Sequence, residues 1–241
     1  MSRTAGLILL LVVIGTPACR EVTTPVSASS VSSGGSSTSP TSPTSPTSPQ
    51  TTGLSLVPSS WAIFNPAPPI FAESGGGLAF DFGYDARTGS AGYLYNTTPP
   101  RVVTGRVSVS FTVKTTGAPV FNYQTESANT CSGTANVRPF FQAHNDWAGE
   151  FGRWWADPDS ATLASGSTTL VIPITADRWT SVYGKRGDQD TATNAAFADA
   201  LKNVTSLGVT FGGGCFFGHG VFVNRGTGTA QFVLTNYAVL P

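Results

Sequence analysis

An apolar period of two constrains this chain more than any other feature. In "GLAFDFGYD", Leu78, Phe80, Phe82 and Tyr84 fall on one side; in "RVSVSFTV", Val107, Val109, Phe111 and Val113 oppose Arg106, Ser108, Ser110 and Thr112. Successive strand side chains point to opposite faces, so each run makes a strand with one buried and one polar face, the pattern of an antiparallel sheet. The same reading extends to "SAGYLYNT", "APVFNYQT", "VRPFFQAH", "GRWWADP", "STTLVIPIT", "TSLGVTFGG", "HGVFVNRG" and "TAQFVLTNYAVL", with Gly, Pro, Asn and Asp at the turns. Many short strands at close spacing predict an all-β fold, an antiparallel β-sandwich of jelly-roll type. One segment departs from the pattern. "TNAAFADALKNV" sets Phe197, Ala200, Leu201 and Val204 at i, i+3, i+4 and i+7, which predicts one short amphipathic helix over an edge or end of the sandwich. Strands and helices do not alternate, which argues against a parallel nucleotide-binding sheet.

The sandwich is expected over residues 54–241, and two different segments precede it. Residues 1–18 carry Arg3, the apolar run "LILLLVVI" and then "GTPA" before Cys19. That run is too short for a resident membrane helix and has the form of an export leader. With its cysteine the leader resembles a bacterial lipoprotein signal, which implies cleavage before Cys19 and acylation of that residue. Thr16 stands where such signals prefer Leu, so ordinary secretion is the alternative. Residues 19–53 are rich in Ser, Thr and Pro, and the stretch from Thr23 to Gly53 has no charged residue. Such a composition cannot offset its ordering entropy by burial, and its Thr-Ser-Pro repeats favour an extended spacer. An anchor followed by a stalk implies an extracytoplasmic head, held to a bacterial membrane only through the N-terminal lipid. Arg20, and not Asp, follows the cysteine, which favours the outer membrane or cell surface in a cell that has one.

Charge narrows the partner. Of 13 basic and 13 acidic residues the leader removes one basic, Arg3, so the mature chain is close to neutral. A nucleic acid would require a cationic face; a neutral ligand suits this chain better.

"TFGGGCFFGHGV", Thr210 to Val221, packs five glycines, Cys215 and His219 into one stretch. It lacks the Lys-Ser/Thr end of a phosphate loop and leads into no helix. A zinc site needs three or four ligands, and beyond Cys215 and His219 only Cys131 and the distant His144 are available. With Cys19 acylated, Cys131 and Cys215 remain as an even pair in an oxidising compartment, for which a disulfide is the expected state. The glycines then read as a turn or bulge, and His219 as a rim residue at the start of the next strand.

Candidate chemistry concentrates in "VRPFFQAHNDWAGEFGRWWADPD", Val137 to Asp159. Alternation puts Val137, Pro139, Phe141 and Ala143 on one side, and Arg138, Phe140, Gln142 and His144 on the other. The second set mixes aromatic and hydrogen-bonding groups, and Trp147, Arg153, Trp155 and Asp157 come soon after it. Sugars present apolar C–H faces rimmed by hydroxyls, so a glycan site needs flat aromatic platforms beside polar groups, and these eight residues are the candidates. Buried tryptophan is also ordinary in sandwich cores, and one of Trp154 and Trp155 must face inward.

The order "VRPFFQAH", a tryptophan-bearing loop, "RWWADP", "GSTTLVIPI", "RWTSVYG", a short helix, "VTSLGVTFGGG" and "GTAQFVLTNYAVL" resembles the galactose-binding-like jelly rolls that serve as carbohydrate-binding modules in secreted bacterial glycan-degrading proteins. The likeness covers about Gly75 to Leu240 and rests on strand order and aromatic placement. It implies a polysaccharide or oligosaccharide ligand, with Gln142, Trp147 and Trp155 matching ligand-facing positions. It implies no catalytic cofactor; many such modules hold a structural calcium, for which Asp188 and Asp190 in "RGDQD" are the nearest thing to a loop, although solvated turn carboxylates describe them better. Two other classes stay open. A glycan-active hydrolase would use Asp146 with Glu150 or Asp157, and a lyase would use His144 and Arg153. A surface adhesion or assembly protein would use the aromatic residues to contact another protein.

Overall fold

The computed structural model describes residues 51–64, 68–85, 89–125 and 132–241. The leader, Cys19, nearly all of the Ser/Thr/Pro segment and Cys131 lie outside the described residues. Among the described residues, fifteen strands and one α-helix succeed one another in chain order: β1 (Thr52–Gly53), β2 (Trp61–Phe64), β3 (Phe71–Ala72), β4 (Leu78–Asp81), β5 (Tyr93–Asn96), β6 (Arg106–Gly117), β7 (Phe121–Tyr123), β8 (Ala135–Ala143), β9 (Arg153–Ala156), β10 (Ala161–Thr162), β11 (Gly166–Pro173), β12 (Trp179–Ser181), α1 (Thr191–Ala200), β13 (Val204–Gly213), β14 (Val221–Val223) and β15 (Gly228–Leu240). They form an antiparallel β-sandwich. One sheet runs β11-β6-β15-β4-β3 with β1 added to β15; the other runs β12-β9-β8-β13-β5-β2 with β10 added to β8; β14 and β7 pair separately.

The inner faces of the two sheets are the ones that alternation selects. Val107, Val109, Phe111 and Val113 are buried in one common core with Val137, Phe141 and Ala143 of the facing sheet. On the outside of the first sheet the intervening hydroxyls make ladders across β6 and β11, Ser110 to Thr169 at 2.9 Å and Thr112 to Ser167 at 2.8 Å. Along β15 the inward set changes parity. Phe232 and Leu234 point into the core, and a register shift between Leu234 and Asn236 passes the inward position to Tyr237 and Val239. A bulge adds one residue and reverses the facing of everything beyond it. The Tyr237 hydroxyl then crosses the core to donate to the carbonyl of Gly208 in the second sheet at 3.0 Å.

Two sequence expectations need correction. Tyr84 does not continue the inward row of β4, which ends at Asp81; Tyr84 is exposed, with the Arg225 guanidinium 5.6 Å from its ring. The helix begins and ends earlier than its apolar pattern implies. Asp190 caps it by accepting from the Thr193 N–H at 2.7 Å, so helical geometry starts at Thr191. It stops at Ala200, and Val204 opens β13. Phe197 and Ala200 are buried as expected, with Phe197 closing one end of the core edge-on against Trp154 at 5.0 Å.

Burial raises the Tyr237 phenol well above its ordinary value, and burial likewise raises Tyr93 against the opposing influence of Arg153. A proton held more tightly in the folded state stabilises it fully below the unfolded tyrosine pKa of about 10, and that contribution is lost as pH rises further. The melting temperature is therefore expected to fall steeply above about pH 10. Phenolate absorbance from these two rings should appear only together with unfolding; free titration of both in the folded protein would contradict this expectation.

Candidate functional site

The outer face of the second sheet is not a solvent face. Register aligns Trp155, Phe140, Gly208, Tyr95 and Ala62 in one row across β9, β8, β13, β5 and β2, and Arg138, Thr210, Tyr93 and Phe64 in the next. Tyr93, Phe140 and Trp155 form a second apolar cluster, with Tyr95, Trp147, Val182 and Phe217 packed against it. Gly208 contributes no side chain between Phe140 and Tyr95, and the Trp147 ring, delivered by a loop, lies 6.4 Å from the first and 5.5 Å from the second.

That loop is built on Asp146. The chain leaves β8 through His144 and Asn145, both with positive φ, and Asp146 Oδ1 accepts from the N–H groups of Ala148 at 2.9 Å and Gly149 at 2.7 Å. These donors hold its carboxyl below the usual carboxylate range. Only glycine fits at 149, where a Cβ would stand 1.9 Å from Asp146 Oδ2. The result projects Trp147 over the sheet, where it stacks on Phe64 at 6.0 Å.

The glycine-rich stretch supplies the opposite wall. Between β13 and β14 it turns through Gly214 to Gly220, and Phe217 meets Trp155 edge-on at 5.4 Å. Gly218 has φ 74°, and a Cβ there would lie 2.0 Å from the Tyr93 hydroxyl, so the loop sits directly on that ring. Arg138 fixes it from below. Its guanidinium lies 3.5 Å from the Phe217 ring centroid and donates to the Ala156 carbonyl at 3.0 Å and to Asp157 Oδ1 at 3.3 Å. Asp157 Oδ2 accepts from the Thr180 hydroxyl at 3.1 Å.

Between these walls runs a groove of about 870 Å³, within the range of roughly 300–1,000 Å³ typical of small-ligand sites. Tyr93, Arg153, Trp155 and Asp157 line its base, and Phe64, Tyr183, Phe217 and His219 its sides. Phe64 is 55% exposed and Tyr183 68%, while Trp155 shows only 6% of its surface. Arg153 donates to the Tyr93 hydroxyl at 3.0 Å, and its guanidinium carbon is 5.7 Å from the Tyr93 and Trp147 rings and 5.9 Å from Trp155. Among the described residues, Arg153 Nε, Trp155 Nε1 and Gln142 Nε2 are buried nitrogens with no hydrogen-bond partner within bonding geometry.

The chain is similar to a solved xylan-binding module, CBM15. Identity is 13% over 79% of this chain and 95% of that one, with a TM-score of 0.36. No family model matches the chain and no curated protein matches it.

Of the eight residues selected from the sequence, Arg153, Trp155 and Asp157 line the groove, and Trp147 packs beside it against Tyr93 and Phe64. Arg138, Phe140 and Gln142 lie on the expected face but are buried: Phe217 covers Arg138, Trp147 packs against Phe140, and Gln142 accepts from the Ser206 hydroxyl at 3.0 Å. They support the site from beneath. His144 leaves it: the positive φ at 144 breaks the alternation, and its ring pairs with Asp199 at 2.8 Å beside a separate depression lined by Asp146 and Glu150. Of the carboxylates weighed for catalysis, Asp146 holds its loop, Glu150 pairs with Lys185 at 3.2 Å, and Asp157, in the groove, is held by Arg138 and Thr180. Asp188 is paired with Arg186 at 2.6 Å, and Asp190 caps α1. Among the described residues no group of three or more His, Cys, Asp or Glu is placed to hold a metal ion. Cys215 is disulfide-bonded.

The sequence reading missed Phe64, Tyr93 and Phe217 as wall residues. For Tyr93 a signal was present: in "YLY" it alternates with the buried Leu94, which assigns an aromatic to the outward face as plainly as at Phe140. Phe64 and Phe217 sit at a strand end and in a loop, where periodicity assigns no face.

Proposed function

We propose that the groove binds a glycan and does not cleave it. The observation that carries this reading is the pairing of exposed rings, Phe64 and Tyr183, with the Arg153 guanidinium, which spends one N–H donor on the Tyr93 hydroxyl, at the same groove. Rings offer platforms to the C–H faces of a sugar, and the remaining guanidinium donors offer hydrogen bonds to its oxygens. The commitment of Asp146 and Glu150 to structural partners supports binding without bond cleavage. We further propose, from the leader and the Ser/Thr/Pro segment, a bacterial lipoprotein: a head held outside the cell on a stalk from acylated Cys19, with Cys131 as the disulfide partner of Cys215.

Retardation in gels containing different polysaccharides tests the binding. Tyr183→Ala removes an exposed ring whose one hydrogen bond, to the Ala148 carbonyl at 3.1 Å, is at the surface. It is expected to weaken retention about three- to tenfold and leave the melting temperature unchanged. Equal retention of the variant, or no retention by any glycan, would remove this reading. A surface made for protein contact would bind its partner undisturbed by sugars.

A further inference from the structure

We infer that the glycan selected by this groove is acidic, carrying a carboxylate of the uronate kind that seats on Arg153. The inference rests on the reading of the groove as a glycan site. The other cations around the groove have counter-ions: Arg138 meets Asp157, Arg186 takes Asp188 with two nitrogens at 2.6 and 3.1 Å, and Lys185 reaches Glu150 at 3.2 Å. Arg153 has no carboxylate within ion-pair distance among the described residues. Asp146, the carboxylate whose field reaches it, is already held by the N–H groups of Ala148 and Gly149. Of the five N–H donors of the guanidinium, one is spent, on the Tyr93 hydroxyl.

A cation half removed from water and left without a counter-ion is costly to the fold, and an anion from outside repays that cost. The rings of Tyr93, Trp147 and Trp155 hold the guanidinium in place from three directions, so little ordering is required when a ligand arrives. Its planar fork matches a carboxylate through two parallel bonds, a geometry that a neutral hydroxyl cannot use. Asp157, the one carboxylate lining the groove, is engaged at both oxygens by Arg138 and Thr180.

Binding of the protein to alginate and polygalacturonate oligosaccharides, compared with the same oligosaccharides after carboxyl reduction, tests this directly. The uronates are expected to bind at least about tenfold tighter, with an advantage that shrinks as salt rises. Arg153→Gln should abolish that advantage and Arg153→Lys should restore part of it. Should Arg153→Gln prove unfolded by its melting curve, the comparison of the two ligand forms on the unmodified protein still decides. Equal affinity for the acidic and reduced forms would overturn the inference and leave a neutral-glycan site standing. A sulfated neutral glycan bound more tightly than the uronates would overturn the assignment to a carboxylate. Absence of binding to any glycan, acidic or neutral, would overturn the glycan reading itself.

Discussion

Trp154→Ala is expected to destabilise the protein by about 3–5 kcal/mol, a large part of the roughly 5–15 kcal/mol that holds a typical domain together. The indole is fully buried between the sheets, stacked on Phe151 at 5.8 Å and edge-on to Phe197 at 5.0 Å, and it donates to the Phe151 carbonyl at 3.0 Å. Its neighbour Trp155 faces the other way. There the indole N–H has no partner, and the ring contacts Phe217 at the groove. Trp155→Phe therefore keeps the ring, discards an unpartnered donor, and should lower glycan affinity with little change in melting temperature. Urea unfolding and gel retardation on both variants separate the two roles. Stability loss of the same size in Trp154→Ala and Trp155→Phe would show that the groove-side indole belongs to the core.

Arg138→Met is expected to cost about 2–3 kcal/mol and to weaken glycan binding as well. Arg138 is 5% exposed, and burial pulls its pKa below the ordinary arginine value while Asp157 opposes that shift. Removing it leaves the Ala156 carbonyl and Asp157 Oδ1 without their donor and Phe217 without its cation. Because Asp157 is 37% exposed, water takes over part of the lost pairing, and the cost stays below that of a fully buried pair. The loss of affinity stems from the loop, since Phe217 forms the groove wall. A folded Arg138→Met protein with full affinity would mean that the loop holds its place without the cation.

The sandwich was legible in the sequence because two-residue alternation is a local signal and the inner faces obey it from Val107 to Val113 and from Val137 to Ala143. Where a bulge, a cap or a left-handed residue intervenes, periodicity misassigns the neighbouring residues, as at Val204 and His144. The outer face of the second sheet was legible as unusual but not as covered. Arg138 and Phe140 carry the mark of a non-solvent face, yet the rings packed on them, Phe217 and Trp147, arrive from loops. The groove is thus floored by Tyr93, Arg153, Trp155 and Asp157, which strand position brings there, and walled in part by Phe217 from a loop.

The strand that opens the described body, Thr52–Gly53, zips onto Ala238 and Val239 of β15, in the sheet that does not carry the groove. The described chain therefore starts on the sheet opposite the groove. A surface linkage made at Thr52 is expected to lie on the sheet opposite the aromatic cleft and to leave that cleft facing solution.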